Sequence, residues 1–132
     1  MLARVFSCAV VGLEGVVVEV EVDYTNGLPG VTIVGLPDVA VQESRERVQT
    51  AVKNAGLHFP RHHIVVYLAP AVVRKEGPAY DLPIALGVIM LSGHLPQGAV
   101  TDSIVVGELS LDGVVRHTRG SLPMAATARQ RI

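Results

Sequence analysis

The sequence contains one cysteine and no tryptophan among its 132 residues, and aromatic residues make up only 4% of it. Because Cys8 has no second cysteine to pair with, an intrachain disulfide framework is excluded, which suits a reducing cytoplasm. With 49% hydrophobic residues and few rings, the core should consist of aliphatic side chains, with Cys8 as a small buried residue.

Long apolar runs are also missing. Residues 5–13 form an apolar stretch near the start, but it is far shorter than the roughly 20 residues that cross a membrane. It follows Met1 too closely to leave the charged region of a signal peptide. We therefore predict no membrane partner.

Signatures of cofactor sites are absent too. No segment reads GxxxxGK[ST], and neither of the two lysines, Lys53 and Lys75, follows a glycine, so we expect no ATP site and no other cofactor within this chain. Adjacent His62 and His63 would point to opposite faces of a strand, and the other histidines lack the spacing of metal ligands. We predict no metal site.

No serine stands in an obvious nucleophilic setting. A serine nucleophile needs a neighbouring base. Ser44 lies in a charged segment, Ser92 at a helix end, Ser110 before a turn and Ser121 at the start of a helix. Capping and turn roles are the simpler interpretation of each.

Neither sign of charge is in large excess, since the formal net charge is −1. The charged residues are nevertheless unevenly distributed along the chain. Residues 1–44 carry six acids against Arg4, and residues 45–75 carry six bases against Glu46. This pattern predicts either a mixed, solvated surface or a basic face that contacts DNA or a partner. The candidate contact residues are Arg45, Arg47, Lys53, Arg61, Arg74, Lys75, Arg116 and Arg119.

Residues 2–11 and 15–24 are predicted as two strands joined by a turn, and the second shows alternating hydrophobicity. A third short strand is expected over 30–35, and the continuously apolar residues 64–69 predict a central strand. The periodicity over 38–55 is that of an amphipathic helix. Asp38 is suited to cap its start, and Gly56 to end it.

Residues 82–92 predict a buried helix capped by Asp81, with Pro83 tolerated in the first turn. A hairpin is expected around Asp112 and Gly113, from residues 103–110 and 114–118. A last helix should begin near Leu122 and be cut off at Ile132. Together these elements predict one α+β domain over 1–132, with one sheet and helices on one face.

Residues 74–87, RKEGPAYDLPIALG, form a charged, conformationally restricted loop against the buried helix. Gly77 permits an unusual backbone angle and Pro78 fixes the next one. Such junctions often carry a nucleophile or a partner contact, and Arg74, Lys75 and Glu76 are placed for contacts.

Three long segments carry a resemblance over essentially the whole chain: 27–56, 68–87 (LAPAVVRKEGPAYDLPIALG) and 107–125 (GELSLDGVVRHTRGSLPMA). They resemble the N-terminal domain of the magnesium-chelatase-like ComM/YifB family of AAA+ ATPases. The resemblance implies a ribosomal protein S5 domain 2-like fold, shared with the Lon protease domain, with one mixed sheet. It also implies a downstream AAA+ module that uses ATP and Mg2+, a hexameric DNA motor, and a link to branch migration in natural transformation. Pigment metallation is not implied.

The likeness to Lon implies a test at the level of residues. Lon-type proteases carry their nucleophilic serine in a DGPSAG-like loop, which here reads Glu76-Gly77-Pro78-Ala79-Tyr80-Asp81, with Ala79 at the serine position. The segment that would carry the catalytic lysine reads RGSLPM over 119–124 and contains no lysine. The resemblance thus implies a vestigial loop and no catalytic residues. Tyr67 departs from the family, which more often has Asn before LAP.

Three hypotheses follow. The first is a non-catalytic accessory domain of a AAA+ ATPase, which assists assembly or contacts DNA or a partner. The second is a serine peptidase with a rearranged site, in which Ser121 or Ser110 would use a base such as His117. The third is direct nucleic-acid binding through the basic residues, which would weaken steeply with salt.

Overall fold

Four strands form a mixed sheet in the order β1-β2-β4-β3. The structure is a computed structural model that describes residues 2–116, 125 and 128. The strands are β1 (Ala3–Val11), β2 (Glu14–Thr25), β3 (Gly30–Val34) and β4 (His63–Ala69). β2 pairs antiparallel with both β1 and β4, whereas β3 and β4 are parallel. The predicted central position of the 64–69 strand is confirmed, since β4 lies between β2 and β3.

Two short helices connect β3 to β4, and a third follows β4. Helix α1 spans Val39–Gln42, α2 spans Ser44–Asn54 and α3 spans Asp81–Leu91, directly after a 3-10 turn at Pro78–Tyr80. Asp38 caps α1 as predicted, because its Oδ1 accepts the Val41 N–H at 2.8 Å. The predicted helix over 38–55 is interrupted at Glu43. Gly56, with φ of 80°, ends it as expected.

The core lies between one face of the sheet and the helices. Val18, Val20 and Val22 of β2 are each 0% exposed, and α3 packs over β1 and β2 on this side. The approach is closest at Gly87, where an added Cβ would lie 2.5 Å from Val22 Cγ2. The other face of the sheet is partly exposed and carries Glu19, whose carboxylate lies 2.7 Å from Arg4 Nε. The predicted α+β arrangement, with helices on one face, is therefore found.

The C-terminal hairpin is smaller than predicted. Its strands are only β5 (Glu108–Leu109) and β6 (Val115–Arg116). Residues 104 and 105 instead meet the edge of β1, where the Val105 N–H donates to the Phe6 carbonyl at 2.8 Å. The helix predicted near Leu122 lies outside the described residues. None of the described helices is long and apolar enough to cross a bilayer.

Candidate functional site at the Ala79 turn

Lys75 fixes the loop after β4 to the segment after β3. Its N–H donates to the Leu36 carbonyl and its carbonyl accepts the Asp38 N–H, each at 3.0 Å. Its ammonium group donates to the carbonyl of Gly35 at 2.7 Å and to that of Pro70. Lys75 is 0% exposed, and this burial lowers the pKa of its ammonium group. The prediction that Lys75 is a surface contact is therefore wrong.

The Ala79 turn is held by bonds that do not involve the side chain of residue 79. Gly77 has φ of 81°, which favours glycine, and its N–H donates to Asp38 Oδ2 at 3.2 Å. The Ala79 carbonyl accepts the Gly107 N–H at 2.9 Å, and the Gly107 carbonyl accepts the Leu82 N–H at 2.9 Å. The turn is thus fastened to both the β3–α1 connection and the segment before β5. The half-buried Ala79 side chain offers no atom for nucleophilic chemistry.

Asp81 is the centre of a buried polar cluster rather than the cap of α3. It is the first residue of the helix and is 0% exposed. Its carboxylate accepts Arg47 Nε at 2.7 Å, the Leu109 N–H at 3.0 Å and the Ser44 hydroxyl. The predicted capping role is wrong because all of these donors lie outside the first turn of α3. The cluster joins α2, α3 and β5.

Arg47 is committed to this cluster. Its Nη2 donates to Asp81 at 3.1 Å and to the Ala40 carbonyl at 2.7 Å, and its side chain is only 20% exposed. The hydrogen bond to Asp81 is the main cause that raises the pKa of Arg47 above its usual value. Its predicted role as a DNA or partner contact is therefore corrected to an internal one.

Tyr80 lies next to Ala79 and is 2% exposed. Burial is the main cause that raises the pKa of its phenol, and the charges of Cys8, Asp38 and Glu76 add to the shift. The Tyr80 side chain therefore stays neutral and anchors the turn to the core.

The remaining basic residues do not form one surface. Because β3 and β4 are parallel, both finish at the end of the sheet that carries the Ala79 turn, which we call the turn end. Arg45 and Arg74 lie at the turn end, whereas Lys53 and Arg61 lie at the opposite end, and all four are exposed. Arg45 and Lys53 are eight positions apart in α2, which is roughly 12 Å along the helix axis. Arg116 pairs with Glu108 in the hairpin, and Arg119 lies outside the described residues.

Three of the serines considered as nucleophiles have structural partners. Ser44 donates to Asp81, Ser92 donates to the Val88 carbonyl at 2.9 Å, and Ser110 donates to Asp112 within its turn. The bond from Ser110 is the main cause that lowers the pKa of Asp112. His117 and Ser121, which the peptidase hypothesis needs, lie outside the described residues.

The adjacent histidines engage different partners. The His62 ring stacks on Tyr24 with centroids 4.8 Å apart, whereas His63 bonds to Thr32 Oγ1 at 2.8 Å and to the Leu28 carbonyl at 3.1 Å. A carbonyl only accepts, so His63 Nδ1 carries a proton. Within the described part of the chain, no three His, Cys, Asp or Glu residues are grouped as metal ligands.

Comparison of the sequence with known proteins places this chain in a family. The profile described as subunit ChlI of Mg-chelatase matches residues 20–132. Competence protein ComM of Haemophilus influenzae is 40% identical over 129 residues, which cover 98% of this chain. The chain belongs to the magnesium-chelatase-like ComM/YifB family. YifB of Escherichia coli is 40% identical over 127 residues, and an uncharacterized protein of Mycobacterium tuberculosis is 46% identical over 129.

The chain spans about a quarter of the length of these relatives, between 25% and 26%. The segments quoted for the resemblance at 27–56 and 68–87 contain the Ala79 turn and three members of the cluster around Asp81, namely Ser44, Arg47 and Asp81 itself. The resemblance to this family is confirmed.

Sequence reasoning missed the cluster around Asp81 and the burial of Lys75. Ser44 and Arg47 are three residues apart and so share a face of α2, which is a readable signal. Their partner, 34 residues further on from Arg47, had no local signature.

Proposed function

We propose that this chain is a non-catalytic accessory domain of a ComM-like AAA+ ATPase. The observation that carries the proposal is Ala79, which has no nucleophilic atom at the position where the resemblance puts the Lon serine, on a turn held by backbone bonds at Gly77 and Ala79. Membership of the ComM/YifB family supports the parent class. The ribosomal protein S5 domain 2-like fold remains part of the proposal, and the four-stranded mixed sheet is compatible with it.

The rest of the polypeptide would supply the chemistry. We expect a downstream AAA+ module that binds ATP and Mg2+, assembles as a hexamer in the cytoplasm and processes DNA during natural transformation. The division of basic residues between two ends makes this domain a poor DNA-binding surface on its own. Its contribution would be assembly or partner contact.

The test uses the full-length protein in two assays. We expect ATP hydrolysis, which a substitution in the ATP-binding lysine of the downstream module abolishes, and no serine of residues 1–132 labelled by a fluorophosphonate. Ala79→Ser should remain unlabelled, because Lys75 and Arg47 are both occupied by other partners. A labelled native serine together with peptide cleavage would favour the peptidase hypothesis.

Measurements of DNA affinity distinguish the third hypothesis, direct nucleic-acid binding, from the proposed accessory role. Binding that depends on this domain should fall steeply between low and physiological salt when several phosphates are contacted. One variant replaces Arg61 and Lys53, and a second replaces Arg45 and Arg74. The two variants test the two ends of the sheet separately. A large loss from either pair would overturn the accessory interpretation in favour of DNA contact.

A further inference from the structure

Several large aliphatic side chains lie in solvent at the turn end, and three of them stand on the segments that Lys75 joins. Leu36 is 54% exposed, Val39 is 77% exposed and Val72 is 86% exposed. We call these three residues the Leu36 surface. Single exposed aliphatics are common, but an exposed group on segments that the fold holds together is typical of an interaction site.

The backbone at Leu36 is in a costly conformation. Its φ is 58°, a left-handed region that bulky residues rarely adopt because the conformation is strained. The preceding Gly35 allows β3 to leave the sheet so close to β4 that an added Cβ would lie 2.2 Å from the Leu68 carbonyl oxygen. The turn therefore directs the chain away from the sheet at a cost that the exposed Leu36 side chain does not offset by burial.

The buried Lys75 ammonium group ties the segments of this surface together. It donates to Gly35, which precedes Leu36, and to Pro70, two residues before Val72. The Lys75 carbonyl also holds the Asp38 N–H, which precedes Val39. Burial of a cation opposes folding. Two unfavourable features, the buried ammonium group of Lys75 and the positive φ of Leu36, therefore hold three apolar residues in positions that face solvent.

The border of the surface carries charges of both signs. Arg74 and Glu76 lie 3.3 Å apart with side chains 70% and 69% exposed, and Glu43 and Arg45 are exposed at the start of α2. An apolar centre with a mixed, polar border is the composition of a protein–protein interface. A nucleic acid or an anionic membrane would instead require a predominantly basic border.

The path of the chain favours an occupant from the same polypeptide. β6 reaches Arg116 opposite Glu108, whose neighbour Gly107 bonds to Ala79, so this strand returns to the turn end. The chain covers 25% of the length of ComM, so most of the homologous polypeptide lies outside it. We propose that the Leu36 surface docks onto an apolar patch of the module that follows in the full-length protein. This inference rests on the proposed function, which supplies that module.

The first experiment measures shielding in the full-length protein. Val72→Cys and Leu28→Cys are matched, because both side chains are 86% exposed and they lie at opposite ends of β3. Maleimide labelling, quantified by peptide mass spectrometry, should be at least about tenfold slower for the thiol introduced at position 72, a ratio that corresponds to about 1.4 kcal/mol of docking. Equal labelling rates would overturn the inference.

The second experiment identifies the occupant. A photo-crosslinking amino acid at position 72 of the full-length protein should react with residues of the downstream module, and the same group at position 28 should not. Crosslinks to residues 1–116 of a second copy, or to an unrelated protein, would contradict the proposal.

The outcomes separate this inference from the function on which it rests. If the protein hydrolyses ATP without a labelled serine, but both thiols react equally, only the docking inference fails. If ATP hydrolysis is absent, the proposed function fails whatever the thiols show. Val39→Asp with Val72→Asp should raise labelling of a thiol introduced at position 36, whereas the control Leu28→Asp should leave it unchanged.

Discussion

Removal of Asp81 should be among the most destabilising single changes in this domain. The carboxylate is 0% exposed and accepts bonds from Arg47, Ser44 and the Leu109 N–H. Asp81→Ala leaves Arg47, whose side chain is 20% exposed, without its main partner and leaves two further donors unpaired. Breaking a buried pair from one side costs about 3–5 kcal/mol, and we expect a loss in this range.

A double-mutant cycle separates the pair from the rest of the cluster. Arg47→Met should cost less than Asp81→Ala, because Ser44 and the Leu109 N–H still bind the carboxylate. The coupling energy of the two changes should be about 2–3 kcal/mol, near the upper limit for contacting residues. Glu43→Gln is the matched control on the same arginine, since Glu43 is 64% exposed and 3.8 Å from Arg47, and it should change stability by less than about 1 kcal/mol.

The assay is urea unfolding followed by circular dichroism, with the slope of the transition compared between variants. A cost below about 1 kcal/mol for Asp81→Ala with an unchanged slope would refute the reasoning, because it would mean that the cluster contributes no more than a surface pair. A coupling energy near zero would show that Arg47 and Asp81 act independently despite their contact.

Three further outcomes are expected. Gly87→Ala should destabilise by about 1–3 kcal/mol through the clash with Val22, and Val22→Ala in the same chain should recover part of that loss in urea unfolding. Ser7→Ala should stabilise the protein by about 1 kcal/mol, because the buried Ser7 Oγ has no hydrogen-bond partner among the described residues. A destabilised variant would contradict this reasoning. The control Ala9→Ser, on the same face of β1, should be destabilising. Because the raised pKa of Tyr80 keeps its phenol protonated in the folded state, stability should be full below pH 10.0, the unperturbed value, and fall above it. Tyr80→Phe should remove that part of the alkaline loss, and an identical pH profile for both proteins would disprove the assignment.

The periodic elements could be predicted from the sequence because their signals are local. The alternation in β2 and the Asp38 and Gly56 helix ends depend on neighbours within a few residues, and the structure confirms them. Long-range contacts carry no such signal. Asp81 has the right position for a cap, but donors from α2 and β5 bind its carboxylate instead, and nothing near Lys75 indicates that carbonyls of Gly35 and Pro70 surround it.

The same distinction explains why the charge pattern could not decide between a mixed surface and a basic face. Six bases lie within 45–75, but this segment runs along α2 away from the turn end and returns along β4, which is parallel to β3. Its two ends therefore lie at the turn end, and its middle lies at the opposite end of the sheet. Arg45 and Arg74 consequently share an end with the acidic Glu43 and Glu76, while two other bases, Arg47 and Lys75, are drawn inside. What remains at the turn end is apolar with balanced charge. Arg47 is paired with Asp81 and Lys75 is held by backbone carbonyls, whereas Leu36, Val39 and Val72 are exposed. This distribution supports the proposed protein contact at the turn end and gives the basic residues no common surface there.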